Sequence, residues 1–212
     1  MQTILVASSK GGCGKTTLAT NLAAARAQKG RKVAIIDADR QHSSFHWCAR
    51  RAEYDNLPGV LGMDGSPSHA FERMPEDTEL VIIDTPAGIT EHQITPWVER
   101  ADMVLVPALP SQIDLDATAE FLDMLGGLSP IKRGKMPVGI VGNRLKPWTH
   151  ASQDSVELWK EMPFPVVGAL RDSQAYVLLT GMGKSIFDYG SELVRRHQDD
   201  WRKPLRWIAR NK

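Results

Sequence analysis

A glycine-rich run near the start of the chain carries the residue types that bind phosphate. It extends from Ser9 to Thr17 and reads SKGGCGKTT. In such a turn the backbone N–H groups curl around a phosphate chain, and the positive end of a following helix adds to the attraction. We expect Lys15 to reach the β- and γ-phosphates of a nucleotide and the Thr16 hydroxyl to complete the shell of Mg²⁺. The predicted nucleotide-binding residues of this loop are Gly11, Gly12, Cys13, Gly14, Lys15, Thr16 and Thr17.

Acidic residues follow two further apolar runs. Asp37 and Asp39 come at the end of VAIIDAD, and Asp84 ends LVIID. Because the carboxyl ends of neighbouring parallel strands face one crevice, we expect these carboxylates beside the phosphate loop. Carboxylate oxygens suit Mg²⁺, which is bound directly or through water. The predicted metal group is therefore Thr16, Asp37 and Asp84, with Asp84 nearest the metal and Asp37 behind it.

Short β-branched runs separated by helical patterns must position these residues. The runs are continuous rather than alternating, which is typical of parallel strands covered by helices on both faces. Predicted strands cover residues 3–6, 33–36, 80–83, 103–106 and 138–141, with one more at 60–63 inside an irregular stretch. Predicted helices cover 16–29, 112–125 and 151–161. The pattern predicts an α/β fold with a doubly wound, mostly parallel twisted sheet.

Composition places the chain among ordinary globular domains. It has 212 residues, of which 42% are hydrophobic and 24% charged, so disorder is excluded and one domain over 1–212 is expected. The two cysteines, Cys13 and Cys48, predict free thiols in a reducing compartment. The apolar run at the N-terminus is too short for a signal peptide or a membrane span. These features predict a cytoplasmic location.

The loop from Lys10 to Thr17, KGGCGKTT, resembles the deviant Walker A loop of the ParA/MinD partition and positioning ATPases. The resemblance implies an ATP-sandwich homodimer in which Lys10 acts like an arginine finger on the partner's nucleotide. A finger of that kind contributes roughly 10³–10⁵ in rate. It also implies that Asp39 positions the hydrolytic water and that residues 85–88 form switch II. The predicted catalytic residues are Lys10, Lys15 and Asp39.

Further sequence features bear on the adenine site and on the branch of the family to which the chain is similar. In this family an asparagine at the position of Asn143 usually meets the adenine, although a simple turn asparagine has the same appearance; residues 168–172 are the candidate for the other side of the base. Residues 85–100 contain no cysteine, which excludes the nitrogenase iron-protein branch. The phosphate loop begins at residue 9, so we expect the small ParA type without a preceding helix-turn-helix domain.

The C-terminal segment is strongly basic. Residues 195–212 hold seven basic residues against two aspartates, a balance of +5 that leaves −4 for residues 1–194 within the total of +1. Pro204 is expected to kink or restart a helix over about 190–212. Three interpretations stay open: a packed terminal helix, nonspecific DNA binding, and a membrane-surface helix with Trp201 and Trp207 at the interface. We favour DNA, and the candidate DNA-binding residues are Arg195, Arg196, Arg202, Arg206 and Arg210.

Together with these features, the resemblance to the ParA/MinD ATPases implies a weak ATPase that a partner stimulates. ATP and Mg²⁺ are expected to join two subunits, and the dimer is expected to bind nonspecific DNA on the nucleoid. Its cargo is expected to be a plasmid or a cytosolic body, recognised through a small co-encoded adaptor such as a ParB-like protein, without stable membrane insertion. The alternatives are a MinD-like membrane-surface ATPase and an ATP-dependent synthetase of the cobyrinic acid or dethiobiotin type.

Overall fold

A seven-stranded parallel sheet forms the centre of the protein. The computed structural model describes residues 1–211. The sheet has the strand order β3-β2-β4-β1-β5-β6-β7, and every neighbouring pair is parallel. The strands are β1 (Gln2–Val6), β2 (Val33–Asp37), β3 (Leu61–Asp64), β4 (Leu80–Asp84), β5 (Met103–Ala108), β6 (Val138–Leu145) and β7 (Val166–Arg171). The predicted α/β fold is confirmed, as is the extra strand near residue 60.

Helices connect the strands and cover both faces of the sheet. They are α1 (Lys15–Ala27), α2 (Ser43–Arg51), α3 (Pro67–Glu72), α4 (Glu91–Val98), α5 (Gln112–Gly127), α6 (Ser129–Lys132), α7 (His150–Lys160), α8 (Gln174–Gly181), α9 (Glu192–Asp200) and α10 (Arg202–Arg210), with a short 3-10 helix at Ile186–Asp188. The three predicted helices are confirmed within two residues at each end. The C-terminal helix expected over about 190–212 is divided into α9 and α10, as the presence of Pro204 predicted; Pro204 lies in the first turn of α10, where its missing N–H costs nothing.

Two apolar layers fill the space between the sheet and its helices. Successive residues of β1 point to opposite layers: Ile4 and Val6 pack with α1, α2, α8 and α10, whereas Leu5 packs with α4, α5 and α7. All three side chains are fully buried. This explains why the strands are apolar throughout, since neither face of the sheet meets water.

The C-terminal helices are part of the packed body. Trp201 and Ile208 are each 1% exposed and belong to the same apolar layer as α1. Trp201 Nε1 donates to the Tyr176 hydroxyl at 3.0 Å. Pro204 lies so close to Gly168 of β7 that a Cβ there would come within 2.3 Å of the proline ring.

The apolar stripe of α9 and α10 is therefore covered by the protein itself. The interpretation that placed Trp201 and Trp207 in a membrane interface is wrong for this structure, because Trp201 is fully buried and Trp207 packs against the same layer. No helix in residues 1–211 combines the length and the apolar character needed to cross a bilayer.

A buried ion pair ties α2 to the 3-10 helix. Arg51 and Asp188 are 0% and 1% exposed, and the guanidinium donates two hydrogen bonds of 2.8 and 2.9 Å to the carboxylate. Gln28 at the end of α1 donates to the same carboxylate at 2.8 Å. Burial alone would raise the pKa of Asp188, but the hydrogen bonds from Arg51 and Gln28 outweigh it and hold the pKa below its ordinary value.

Breaking this pair should destabilise the fold strongly. We expect Asp188→Ala to lower the free energy of unfolding by about 3–5 kcal/mol, because it leaves the buried Arg51 guanidinium without an opposite charge. The matched control is Asp199→Ala, which removes the partner of exposed Arg202 and should cost less than about 1 kcal/mol. Urea unfolding at neutral pH measures both. Equal effects of the two substitutions would contradict this account of the buried pair.

Candidate functional site

The phosphate loop and the two aspartate-bearing strands end in one row. In the register of the sheet, Asp84 pairs with Val6 on one side and with Asp37 on the other. The chain after β1 enters the glycine-rich loop, while the Ala38 amide donates to the Asp84 carbonyl at 2.9 Å. The carboxyl ends of β2, β4 and β1 therefore bring together the residues that the sequence predicted to converge.

Asp84 is the carboxylate nearest the start of α1. Its Oδ2 accepts a 2.8 Å hydrogen bond from Thr16 Oγ1, while its Oδ1 is buried and has no hydrogen-bond partner in residues 1–211. Burial, with a smaller contribution from the charge of Asp37, raises the pKa of Asp84 to about 7. A buried oxygen without a partner beside a threonine hydroxyl suits a hydrated divalent cation. The residues present therefore fit Mg²⁺, and Thr16 and Asp84 are the side chains that would hold it.

Asp37 holds the loop that leads into α2. Its Oδ2 accepts hydrogen bonds from the Ser44 amide and hydroxyl, both at 2.8 Å, and from the Phe45 amide at 2.9 Å. Its Oδ1 accepts from the Asp39 amide at 3.0 Å. Both carboxylate oxygens of Asp37 thus accept hydrogen bonds from the protein. Asp37 therefore caps the N-terminus of α2 and is not a direct metal ligand in this structure. Ser44, which sequence reasoning missed, is the other half of this cap.

A cavity of about 220 Å³ lies at the mouth of the loop. Asp39 lines it on one side, and Thr85 and Ala87 line it on another. Thr85 Oγ1 donates to the Val6 carbonyl at 3.0 Å and the Gly88 amide donates to the Ser9 carbonyl at 2.8 Å, which fixes residues 85–88 against the loop. The lining residues are Gly11, Gly12, Gly14, Lys15, Thr16, Thr17, Asp39, Thr85, Ala87 and Arg144. Most of the predicted phosphate and catalytic residues thus share one cavity.

The two lysines of the loop occupy different positions. Lys15 is buried, and its Nζ donates to the Lys10 carbonyl at 2.9 Å. Cys13, 1% exposed, donates its thiol to the same carbonyl at 3.2 Å and serves the loop structurally. The Lys10 side chain is 34% exposed and its Nζ lies 4.0 Å from Asp114 Oδ1 in the same chain. Lys10 is therefore outside the cavity that Lys15 lines.

Asn143 joins the end of β6 to the phosphate loop. Its Nδ2 donates to the Cys13 carbonyl at 2.8 Å, and its Oδ1 accepts from the Arg144 amide at 2.9 Å. A Cβ on Gly14, whose φ is +94°, would stand 2.1 Å from Nδ2, so this contact requires glycine. Asn143, which was predicted to contact adenine, therefore also stabilises the phosphate loop. The sequence spacing could not indicate this contact.

A second cavity of about 260 Å³ adjoins the first and is the candidate for the base. Within the predicted segment 168–172, residues 168–171 belong to β7, and only its end reaches this cavity. The first residues of α8 also line this cavity, and the sequence contains no indication of this. The lining residues are Thr17, Asn143, Arg144, Arg171, Asp172, Ser173, Gln174, Tyr176 and Val177.

The candidate DNA-binding arginines lie apart from both cavities. They are exposed on α9 and α10, and none of them lines the phosphate or the base cavity. Two are held by neighbouring acids: Arg202 pairs with Asp199 at 2.8 Å and Arg196 with Glu192 at 3.5 Å. The basic face is thus a separate surface on the outside of the C-terminal helices.

Without metal, the buried Asp84 should cost the fold stability at high pH. Its pKa, about 7, stands above the ordinary value of 3.8. The unfolded chain therefore ionises first, and stability falls as pH rises from about 4 to about 7. We expect Asp84→Asn to raise the free energy of unfolding by about 1–4 kcal/mol relative to the wild type at pH 8 in EDTA. Near pH 4 this stabilisation should be absent. Urea unfolding at the two pH values measures this, and no gain at pH 8 would contradict it.

Comparison with known proteins agrees with this geometry. Residues 4–186 match the model of the CobQ/CobB/MinD/ParA nucleotide binding domain. The maintenance of carboxysome distribution protein A of Halothiobacillus neapolitanus is 30% identical over 195 residues, which are 89% of this chain and 88% of that protein.

Solved structures share the fold. An ATP complex of a McdA variant from Cyanothece has a TM-score of 0.71 at 19% identity, covering 100% of this chain and 96% of that one. MinD in the MinC:MinD complex of Aquifex aeolicus has a TM-score of 0.73 at 18% identity, covering 97% of this chain and 96% of that one. With the phosphate loop, the aspartates and the sheet order already in place, the chain belongs to the CobQ/CobB/MinD/ParA family of nucleotide-binding domains.

Proposed function

We propose that this protein is an ATP-dependent dimerising ATPase that positions a cargo inside the cell. The observation that supports it most is the convergence of Lys15, Thr16 and Asp39 on one small cavity, with Asp84 hydrogen-bonded to Thr16 and a partly exposed Lys10 beside it. A site that only stored nucleotide would need neither a carboxylate facing the cavity nor a second lysine outside it. The same residues supply what phosphoryl transfer requires, which is positioning and charge stabilisation.

Each residue has a defined task in that reaction. The loop amides and Lys15 hold the phosphate chain, and Lys15 must first leave the Lys10 carbonyl. Thr16 and Asp84 would hold Mg²⁺, which would neutralise charge on the phosphate oxygens when bound. Asp39 orients the attacking water, and its position is set by the hydrogen bond of its amide to Asp37. Turnover stays slow while any of these groups is out of place.

Lys10 is the residue that makes the site depend on a second subunit. In its own chain it lies toward Asp114 at the rim, at 4.0 Å, rather than in the cavity. A pair this long and partly exposed is weak, so Lys10 exchanges it readily for the phosphates of a facing subunit. The proposed dimer then completes two sites at once, and hydrolysis separates it.

Removing Lys10 should therefore abolish turnover while leaving nucleotide binding in place. We expect Lys10→Ala to lower the hydrolysis rate by about 10³–10⁵, because a transition-state cation is lost. Lys160→Ala is the control, since it removes an exposed lysine that pairs with Glu157 away from the phosphate loop. Phosphate release measures turnover, calorimetry with ATP measures nucleotide binding, and elution volume with ATP reports dimer formation. A wild type that stays monomeric with ATP, or a Lys10→Ala variant with full activity, would contradict the proposal.

The basic face of the C-terminal helices is the proposed contact with nonspecific DNA. Trp201 and Ile208 of the apolar stripe are buried. Within residues 192–210 the exposed arginines outnumber the one exposed large apolar residue, Leu193, so this surface offers a partner mainly charge. Its proposed members are Arg195, Arg196, Arg202, Arg206 and Arg210. Three or four neutralised phosphates would give a slope of about −3 to −4 when log affinity is plotted against log salt.

Reversing two of these charges should weaken DNA binding and flatten its salt dependence. We expect Arg206→Glu with Arg210→Glu to reduce the magnitude of the slope by about 2. Lys132→Glu with Lys135→Glu is the control, because it changes the net charge equally at exposed positions near α6. Fluorescence anisotropy with random-sequence duplex and ATP measures the slope. Equal losses for both pairs would mean that net charge, and not this surface, sets the affinity.

The proposed cargo is a large cytosolic body. Two relatives that cover 89% and 98% of this chain are proteins for the maintenance of carboxysome distribution, and the first is 30% identical; MinD of Helicobacter pylori covers 95% at 24% identity, and a ParA protein of Rhizobium radiobacter covers 59%. Fluorescence imaging of candidate bodies in cells with and without the gene tests this, and clustering of one body on deletion is the expected result. An unchanged distribution of such bodies together with plasmid loss would instead favour plasmid partition.

A further inference from the structure

Arg144 adopts a backbone conformation that side chains usually avoid. Its φ is +53°, and within residues 1–211 it shares a positive φ with only one other non-glycine residue, His42. The register between β6 and β7 slips at the same place, between Gly142 and Leu145. Such bulges re-aim a side chain and are frequent beside active sites. Strain of this kind persists where neighbouring groups over-determine the backbone.

Asn143 is the group that imposes this conformation. One amide side chain joins the Cys13 carbonyl at 2.8 Å to the Arg144 amide at 2.9 Å, and Asn143 is buried at 6% exposure. The position of Arg144 is therefore set from the phosphate loop itself. A solvated surface arginine would need neither a positive φ nor a link of this kind.

The guanidinium of Arg144 is exposed and uncommitted. Among residues 1–211 it donates no hydrogen bond and forms no ion pair. The other cations nearby are engaged: Lys15 donates to the Lys10 carbonyl, and Arg171 pairs with Asp200 at 2.9 Å. Unlike Lys15 and Arg171, Arg144 thus keeps all the N–H donors of its guanidinium available for a ligand.

Arg144 also stands at the boundary between the two cavities of the site. It lines the phosphate cavity with Thr16 and Asp39, and it lines the base cavity with Asn143 and Ser173. In a nucleotide, the groups between the terminal phosphates and the base are the inner phosphates and the ribose. A planar guanidinium pairs its N–H donors with phosphate oxygens in charge-assisted hydrogen bonds, which are stronger than those it makes to the neutral acceptors of a base or a sugar.

We propose that Arg144 binds the inner phosphates of the nucleotide that is bound to the same subunit. It thereby selects a nucleoside diphosphate or triphosphate over a ligand without those phosphates. The β6 bulge exists to aim this side chain, and Asn143 keeps it in step with the phosphate loop. The inference rests on the proposed use of ATP, but it concerns binding and requires neither hydrolysis nor a dimer.

The test replaces Arg144 by glycine and by lysine and measures ADP binding by calorimetry together with the melting temperature. Glycine accepts a positive φ without strain, so Arg144→Gly should melt at or above the wild-type temperature. It should nevertheless bind ADP about 10- to 100-fold more weakly, because a charge-assisted contact is lost. Arg144→Lys should recover part of that loss. Lys146→Ala is the control, since it removes a neighbouring charge outside both cavities and should stay within about threefold.

Two results would overturn the inference. One is ADP affinity of Arg144→Gly within about threefold of the wild type. The other is a melting temperature of Arg144→Gly well below the wild type, which would assign Arg144 a structural purpose. A wild type that binds no ADP or ATP would instead overturn the proposed function, so the two failures are distinguishable.

Discussion

The alignment of three parallel strand ends is the constraint on which the rest of this molecule depends. Val6, Asp84 and Asp37 stand side by side in the register of β1, β4 and β2. A slip of one residue between β1 and β4 would move Asp84 away from the phosphate loop, and a slip between β2 and β4 would move Asp37 away from Asp84. The register is enforced by apolar side chains on both faces of the sheet, so it is set by the core and not by the site. The site is a consequence of packing that extends through the whole sheet.

From this row, polar contacts extend into the body of the protein. Asp37 caps α2 at one end, and Arg51 at the other end of α2 is held by Asp188. Gln198 of α9 donates to the carbonyl of Ile186 at 2.7 Å, in the same 3-10 helix that contains Asp188. The loop between Asp37 and α2 is thus anchored to elements that also contact the basic C-terminal helices. This arrangement gives a physical connection between the nucleotide cavity and the proposed DNA surface.

Sequence patterns revealed the parts of the molecule in which residue type alone carries the signal. Continuous apolar runs predicted the parallel strands, and the glycine and lysine spacing predicted the phosphate loop. What escaped prediction depends on contacts between distant residues. The bonds of Asn143 to the loop, the Arg51–Asp188 pair and the positive φ of Arg144 have no local signature. The C-terminal segment shows both cases: Pro204 predicted the break in the helix, whereas burial of Trp201 depends on Tyr176 and β7.

The central claim is that Lys10 completes the site of a facing subunit, and mixing two inactive variants tests it most directly. Lys10→Ala keeps its own Asp39, while Asp39→Ala keeps a Lys10 to offer, so each is expected to be inactive alone. In the mixed dimer, the site on the Lys10→Ala subunit receives Lys10 from its neighbour. The account predicts that an equal mixture with ATP recovers about a quarter of wild-type hydrolysis, since half the dimers are mixed and each has one complete site. A mixture that forms dimers and stays as inactive as its components would contradict it.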